Sequence, residues 1–262
     1  MMKVRAIFSV ILVGFIASCL IAGTSAAISY PETVFACWLF DEGEGDIAED
    51  ATGNGWDAEI AGPVWADGIF GKALQFDGVD DVVIVTGSED VNFVTFTLEA
   101  WVKIENFNGS YNDIITKQGP KNIMMNIQQN TGVIGNAFFL GGQNQIVRGN
   151  TPVTDGEWHY IVSTYDKSKL RVFLDGKLDG ELAISDDPDK GTEPITIGRN
   201  FAGASPTLGI IDSVCIRTVA LTPDEVMAEY KRAFAVNATE ALTVTWGNIK
   251  SLKFIVLCLP RH

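Results

Sequence analysis

Hydrophobic and polar residues alternate in short runs along most of the chain from Val34 onward. Phe96, Leu98, Ala100, Val102 and Ile104 sit two apart, with Thr97, Glu99, Trp101 and Lys103 between them. Period two over that length predicts a strand with one buried face. The run Trp158–Tyr165 is aromatic and β-branched and predicts a second strand. Leu170, Val172 and Leu174 alternate up to Asp175-Gly176, after which Leu178 opens another run. Asp-Gly between alternating runs is a strong hairpin signal, because a type I′ turn needs positive φ at both central residues. Further strands are expected at Val34–Phe40, Trp56–Ile60, Ala73–Phe76, Val82–Val85, Asp113–Lys117, Ile123–Ile127, Ala137–Leu140, Ile195–Gly198 and Ile210–Ile216. About a dozen closely spaced short strands predict an all-β sandwich or barrel rather than βαβ units.

One segment has a helical period. Thr222-Pro223-Asp224-Glu225 offers a Thr N-cap, Pro at the first helical position and Glu three residues after the Thr, a capping box. Val226, Tyr230, Ala233 and Phe234 then supply one apolar face, so the helix is expected to end near Phe234. This places a β domain at 34–234 and a tail at 235–262, in which Leu242–Trp246 could form a strand and Phe254–Leu259 is apolar. Six residues cannot span a bilayer.

The N-terminus has a different character. Lys3 and Arg5 precede an apolar run from Ala6 to Ala22 and small residues at Thr24-Ser25-Ala26-Ala27. Residues 1–27 therefore read as a cleavable secretory signal peptide, with a transmembrane anchor as the alternative. Ile16-Ala17-Ser18-Cys19 also resembles a lipobox, which would make Cys19 a lipid anchor, although Leu20-Ile21-Ala22 stay apolar after it. The mature protein is expected to be secreted, extracellular or periplasmic, with no span after signal cleavage. Such compartments permit disulfides.

Charge narrows the partners. Nineteen Lys and Arg against 33 Asp and Glu give a net charge of −14, which argues against nucleic acid. The two histidines, His159 and His262, leave little room for a Ser–His–Asp triad and none for an HExxH helix. His159 has no Cys or second His beside it and reads as structural.

An ordered set of phrases resembles the laminin G-like, concanavalin A-like lectin jelly-roll domains. It runs through Trp38-Leu39-Phe40-Asp41-Glu42-Gly43-Glu44-Gly45, Asp50-Ala51-Thr52-Gly53-Asn54-Gly55 and Gly71-Lys72-Ala73-Leu74-Gln75-Phe76-Asp77-Gly78-Val79-Asp80-Asp81. It continues with Phe96–Val102, Asp155-Gly156-Glu157-Trp158-His159, Phe173-Leu174-Asp175-Gly176, Ile197-Gly198-Arg199 and Gly209-Ile210-Ile211-Asp212, and closes on the capped helix. The resemblance implies a two-sheet antiparallel sandwich whose first and last strands lie near each other. It implies a module that binds carbohydrate, protein or a structural Ca²⁺, or acts as a spacer.

Four sets of candidate residues follow. By the resemblance, Asp41, Asp50 and Asp212 are the positions for a structural calcium between the first-strand loop and the last strand; the plain alternative is turn carboxylates bonded to their own backbone. Trp56, Trp65 and Tyr111 lie in or beside predicted loops and are candidates for stacking on a sugar, whereas Trp38, Trp101 and Trp158 fall in strands and read as core or sheet-face residues. Cys37 and Cys215 lie on the first and last strands; a disulfide is possible if their Cα atoms fall within about 4.4–6.8 Å, and two buried thiols are the alternative. Glu44, Asp46 and Glu49 match the E-x-D-x-x-E spacing of jelly-roll glucanases, but in a Gly-flanked loop rather than on a strand, so no catalytic pair is expected from them. Asn108 and Asn237 begin glycosylation sequons. The chain thus reads as a non-catalytic recognition module for carbohydrate, or else for an extracellular protein, with a glycosidase or lyase as a third reading.

Overall fold

The computed structural model describes residues 30–105, 111–119 and 121–243; the expected signal segment 1–27 with Cys19, the sequon residue Asn108 and positions 244–262 lie outside them. In chain order the strands are β1 (Val34–Trp38), β2 (Ile47–Ala48), β3 (Ala58–Ala61), β4 (Val64–Asp67), β5 (Lys72–Asp77), β6 (Val82–Val85), β7 (Phe96–Lys103) and β8 (Asn112–Lys117). They continue as β9 (Ile123–Ile127), β10 (Val133–Leu140), β11 (Gln143–Pro152), β12 (Trp158–Tyr165), β13 (Lys169–Leu174), β14 (Lys177–Ala183), β15 (Ile195–Ile197) and β16 (Leu208–Arg217), before helix α1 (Pro223–Thr243).

Two antiparallel sheets stack face to face. The first runs β14-β13-β12-β7-β16-β5-β4, with β1 also on β16, and the second β11-β10-β9-β8-β15-β6-β3-β2. Of the sandwich or barrel that the alternation allows, the chain forms the two-sheet jelly-roll sandwich that the resemblance implies. Between the sheets lie the inward residues of each strand, among them Phe96, Leu98, Ala100 and Val102 of β7, Ile123, Met125 and Ile127 of β9, and the fully buried Trp38. The Asp175-Gly176 turn has φ of 49° and 79°, as a type I′ hairpin requires.

The outer face of the first sheet is also covered. Trp101, Tyr160, Val162 and Phe173 pack beneath α1 with Val226 and Tyr230. Trp101 and Tyr230 stack with centroids 6.0 Å apart. β7 is consequently buried on both faces despite its alternating pattern. Beneath the helix, Glu99 accepts hydrogen bonds from Tyr160 Oη and Arg217 Nε, and Arg217 reaches Glu229 at 3.5 Å. The charges stay buried because each is paired and hydrogen-bonded. The capping box forms as read: Thr222 N donates to Glu225 Oε2 at 2.8 Å and Glu225 N to Thr222 Oγ1 at 3.3 Å.

α1 continues nine residues past the expected end at Phe234, to Thr243, so the boundary drawn at 234/235 cuts a helix. The expected strand at Leu242–Trp246 likewise begins inside it. The apolar face on which the shorter reading rested stops at Phe234, but Ala238, Glu240 and Ala241 keep helix propensity in the stretch that follows. Among the described residues no helix is long and apolar enough to cross a membrane.

The middle of β16 changes partner. Residues Leu208–Ile211 pair with β5, whereas Val214–Arg217 pair with β1. Between them the register against β7 shifts from Asp212 to Cys215, and Ser213 adopts φ 50°. A bulge of this kind re-aims a side chain, and here the residue at the break is Asp212.

Candidate functional site

A polar pocket of about 260 Å³ opens on the outer face of the second sheet, lined by Tyr111, Asp113, Lys121, Asn126, Arg148 and Asn200 among others. It is built from β8, β9 and β11 and from the loop that follows β15. On β9, Ile123, Met125 and Ile127 point into the core, so Met124 and Asn126 are left on the other face. On β11, Val147 points inward, and its neighbours Ile146 and Arg148 line the pocket.

The floor is a chain of hydrogen bonds running across the strands. Asn126 Nδ2 donates to Asp113 Oδ1 at 3.2 Å, and Gln128 Nε2 donates to Asn126 Oδ1 at 2.6 Å. Arg148 Nε then donates to Gln128 Oε1 at 3.0 Å. From the other side, Asn200 Nδ2 donates to Asp113 Oδ2 at 3.3 Å, while its own Oδ1 receives Ala204 N at 2.8 Å and closes the loop. Gly135 of β10 lies under this chain; a Cβ there would stand 2.1 Å from Gln128 Nε2 and 2.8 Å from Asn126 Oδ1. Each member is thus held by its neighbours before any ligand arrives, which lowers the ordering cost of binding.

Burial shapes the charges. Asp113 is 1% exposed, and desolvation pushes its pKa up to about 7, with the Asn126 and Asn200 hydrogen bonds only partly opposing. Burial lowers the Lys121 pKa, and the Asp113 charge acts against that. Lys121 Nζ also lies 5.4 Å from the centroid of the Phe139 ring.

Of the aromatic residues expected to meet ligand, Tyr111 lines this pocket and the other two are packed elsewhere. Trp56 lies against Phe35 with centroids 4.7 Å apart, and its carbonyl accepts Trp38 Nε1 at 2.7 Å. Trp65 sits on β4 against the core and donates Nε1 to Gly45 O at 3.1 Å. Both rings are partly buried against the sandwich and fasten its first loops, away from this pocket.

The three proposed calcium ligands do not converge as a set. Asp50 is consumed by its own loop: Oδ1 accepts Cys37 N and Thr52 N, each at 3.1 Å, and Oδ2 accepts Trp56 N at 3.2 Å. Asp41 and Asp212 instead brace one turn between β4 and β5. Lys72 N donates to Asp41 Oδ1 at 3.0 Å and Phe70 N to Asp212 Oδ2 at 3.1 Å. Burial pushes the Asp212 pKa up to about 7, and the nearby Asp41 charge adds to the rise. Among the described residues, the three carboxylates that do gather are Asp77, Asp80 and Asp81, within 4.8 Å. Asp81 Oδ2 receives Asp77 N and Asp77 Oδ1 receives Val79 N, both at 2.8 Å, so two of the three shape their own turn.

The remaining candidates have structural surroundings. Cys37 and Cys215 face each other across β1 and β16 and are joined by a disulfide, with Cα atoms 4.2 Å apart. His159 bridges Asp175 at 3.0 Å and Asp155 at 3.2 Å. Glu44, Asp46 and Glu49 are exposed around the two-residue β2, at the far edge of the second sheet from β11. Asn237 falls within α1.

Sequence reasoning missed Asn126, Gln128, Arg148 and Asn200, and with them Asp113 and Lys121. The first three sit in or beside strands where a polar residue reads as an ordinary solvent-facing position, and nothing local shows that they converge.

The family model described as the concanavalin A-like lectin/glucanases superfamily matches residues 77–227, more than half of the chain. The chain belongs to this superfamily. By sequence it matches no curated protein. Among solved structures, this superfamily member is similar to the binding domain of paraclostridial mosquitocidal protein 1, with TM-score 0.63 and 16% identity over 77% of the chain. It spans 52% of that structure, about half its length. It is also similar to domain 4 of AbnA, an extracellular GH43 arabinanase from Geobacillus stearothermophilus solved with arabinotriose, with TM-score 0.57, 20% identity, 75% of this chain and 97% of that one. A sialidase from Trypanosoma rangeli, solved with sialic acid, gives TM-score 0.57 and 16% identity over 77% of this chain and 33% of that one. At these identities the likeness is one of fold.

Proposed function

We propose that the protein is a secreted, non-catalytic carbohydrate-recognition module whose ligand occupies the pocket on the outer face of the second sheet. The observation behind this reading is the Asp113–Asn126–Gln128–Arg148 chain with Asn200 and Tyr111 beside it. Planar amides and a carboxylate, held in place, suit pairs of sugar hydroxyls, and a ring at the rim suits the apolar face of a sugar. Similarity to an arabinanase domain solved with arabinotriose and to a toxin binding domain is in keeping with it. A glycan array probed with the full-length secreted protein tests the proposal, with Asn126→Ala as the control. Binding lost in that variant at unchanged melting temperature supports the reading; an array without any bound glycan overturns it.

A structural calcium is a second proposal, on Asp41 and Asp212 alone. The observation in its favour is a buried Asp212 whose charge is opposed by both desolvation and Asp41, a pair that a divalent cation would neutralise. Backbone carbonyls of the β4–β5 turn would have to complete the oxygen set that Ca²⁺ requires.

A further inference from the structure

Two cations, Lys121 and Arg148, line the pocket. Of the other described lysines and arginines, Lys72, Lys167, Lys169, Arg171, Arg217 and Arg232 each have a carboxylate within 4 Å, and Lys103, Lys117, Lys177, Lys190, Arg199 and Lys231 do not. Among the described residues, Lys121 and Arg148 have none, in a chain whose net charge is −14. The one carboxylate lining the pocket, Asp113, already accepts hydrogen bonds from Asn126 and Asn200. Resting on the carbohydrate reading above, we propose that this pocket takes a sugar bearing a carboxylate, with Arg148 as the carboxylate receptor and Lys121 as a second positive charge beside it.

The geometry of Arg148 favours this class of ligand. Gln128 holds Nε, which fixes the plane of the guanidinium. Among the described residues the two Nη groups have no hydrogen-bonded partner, so the fork that grips a carboxylate with two parallel bonds is open toward ligand. Gln128 is in turn held by Asn126, so the fork's direction traces back to Asp113. The cations also counter the long-range field: an acidic surface repels an anionic ligand, and a local positive pocket is what admits one. A neutral sugar would cover the Arg148 guanidinium without supplying it a carboxylate partner, which is costly.

The test uses the full-length secreted protein. Titration calorimetry is run with an oligogalacturonate, a glucuronate-terminated glycan and a sialylated glycan, each beside its carboxyl-reduced counterpart, and with a sulfated neutral glycan. At least one carboxylated glycan should bind, and its reduced counterpart about tenfold or more weakly, because the reduced form loses the charge-assisted hydrogen bonds to Arg148. Arg148→Met keeps the apolar stem of this exposed side chain and should cost a similar factor at unchanged melting temperature. Equal binding of acid and reduced forms overturns the acidic class and leaves carbohydrate recognition standing. Preference for the sulfated glycan also overturns it. If no glycan binds, both this inference and the reading beneath it fall.

Discussion

Arg148 Nε and Gln128 Oε1 meet at 3.0 Å across β10, and they meet because position 135 has no side chain. β10 lies between β9 and β11, so any residue on its outer face at that register would part the two.

Gly135→Ala is therefore expected to disturb binding more than folding. The nearest clash, at 2.1 Å, is with the far end of Gln128, which can swing away. Overpacking of this kind costs about 1–3 kcal/mol, whereas loss of the Gln128 anchor should cut glycan affinity about tenfold or more. Paired urea melts and binding titrations would show it; an affinity equal to wild type would mean that the floor need not be ordered.

Stability should fall as pH rises from about 4 to about 7. Asp113 and Asp212 both have pKa values raised to about 7, against the ordinary carboxylate value near 4. Between those limits the folded state holds more protons than the unfolded state, so raising the pH favours unfolding; above about 7 these groups add no further loss. The groups facing Asp113 are Asn126, Asn200, Lys121 and Ser205, and those facing Asp212 are the Phe70 and Ile69 amides, Ser213 and Asp41. His159, raised by Asp175 and Asp155, loses its contribution as pH rises through its folded pKa, with the same sign. Asp113→Asn isolates one share: its urea midpoint should vary less between about pH 5 and 8 than that of the wild type, measured in EDTA.

If Ca²⁺ sits between Asp41 and Asp212, it binds the folded state only, and adding it should raise the melting temperature by mass action. The rise should vanish in EDTA and in Asp212→Asn. Identical melting curves with calcium and with EDTA would remove calcium from the account.

Reduction should destabilise the sandwich. The Cys37–Cys215 bond spans 178 positions and ties the first strand to the last, so breaking it frees a long loop in the unfolded chain. A loss of about 2–5 kcal/mol is expected, read as a lower urea midpoint with reductant and in the Cys37→Ser/Cys215→Ser variant. Coincident transitions would show that pairing of β1 with β16 suffices.

The sandwich was legible in the sequence because one face of most strands is buried, and period two reports that directly. Phe96–Ile104 and the Asp175-Gly176 hairpin emerge where alternation and turn chemistry place them. β11 was not legible: Gln143–Pro152 is a mostly exposed edge strand with a polar surface, and no hydrophobic period marks it. β2 and β4 are too short to show a period.

The chain by itself determined its fold class, its acidic character, the helix cap and the candidate status of Tyr111, since all of these are written in local pattern or composition. Only the tertiary structure decided that Asp50 is spent on its own loop, that Trp56 and Trp65 are packed, and that Asp113, Asn126, Gln128, Arg148 and Asn200 form one floor. Those five residues come from β8, β9, the segment just after β9, β11 and the loop after β15. Strand order brings them together, and strand order is fixed by pairing and register across the sheet rather than by spacing along the chain.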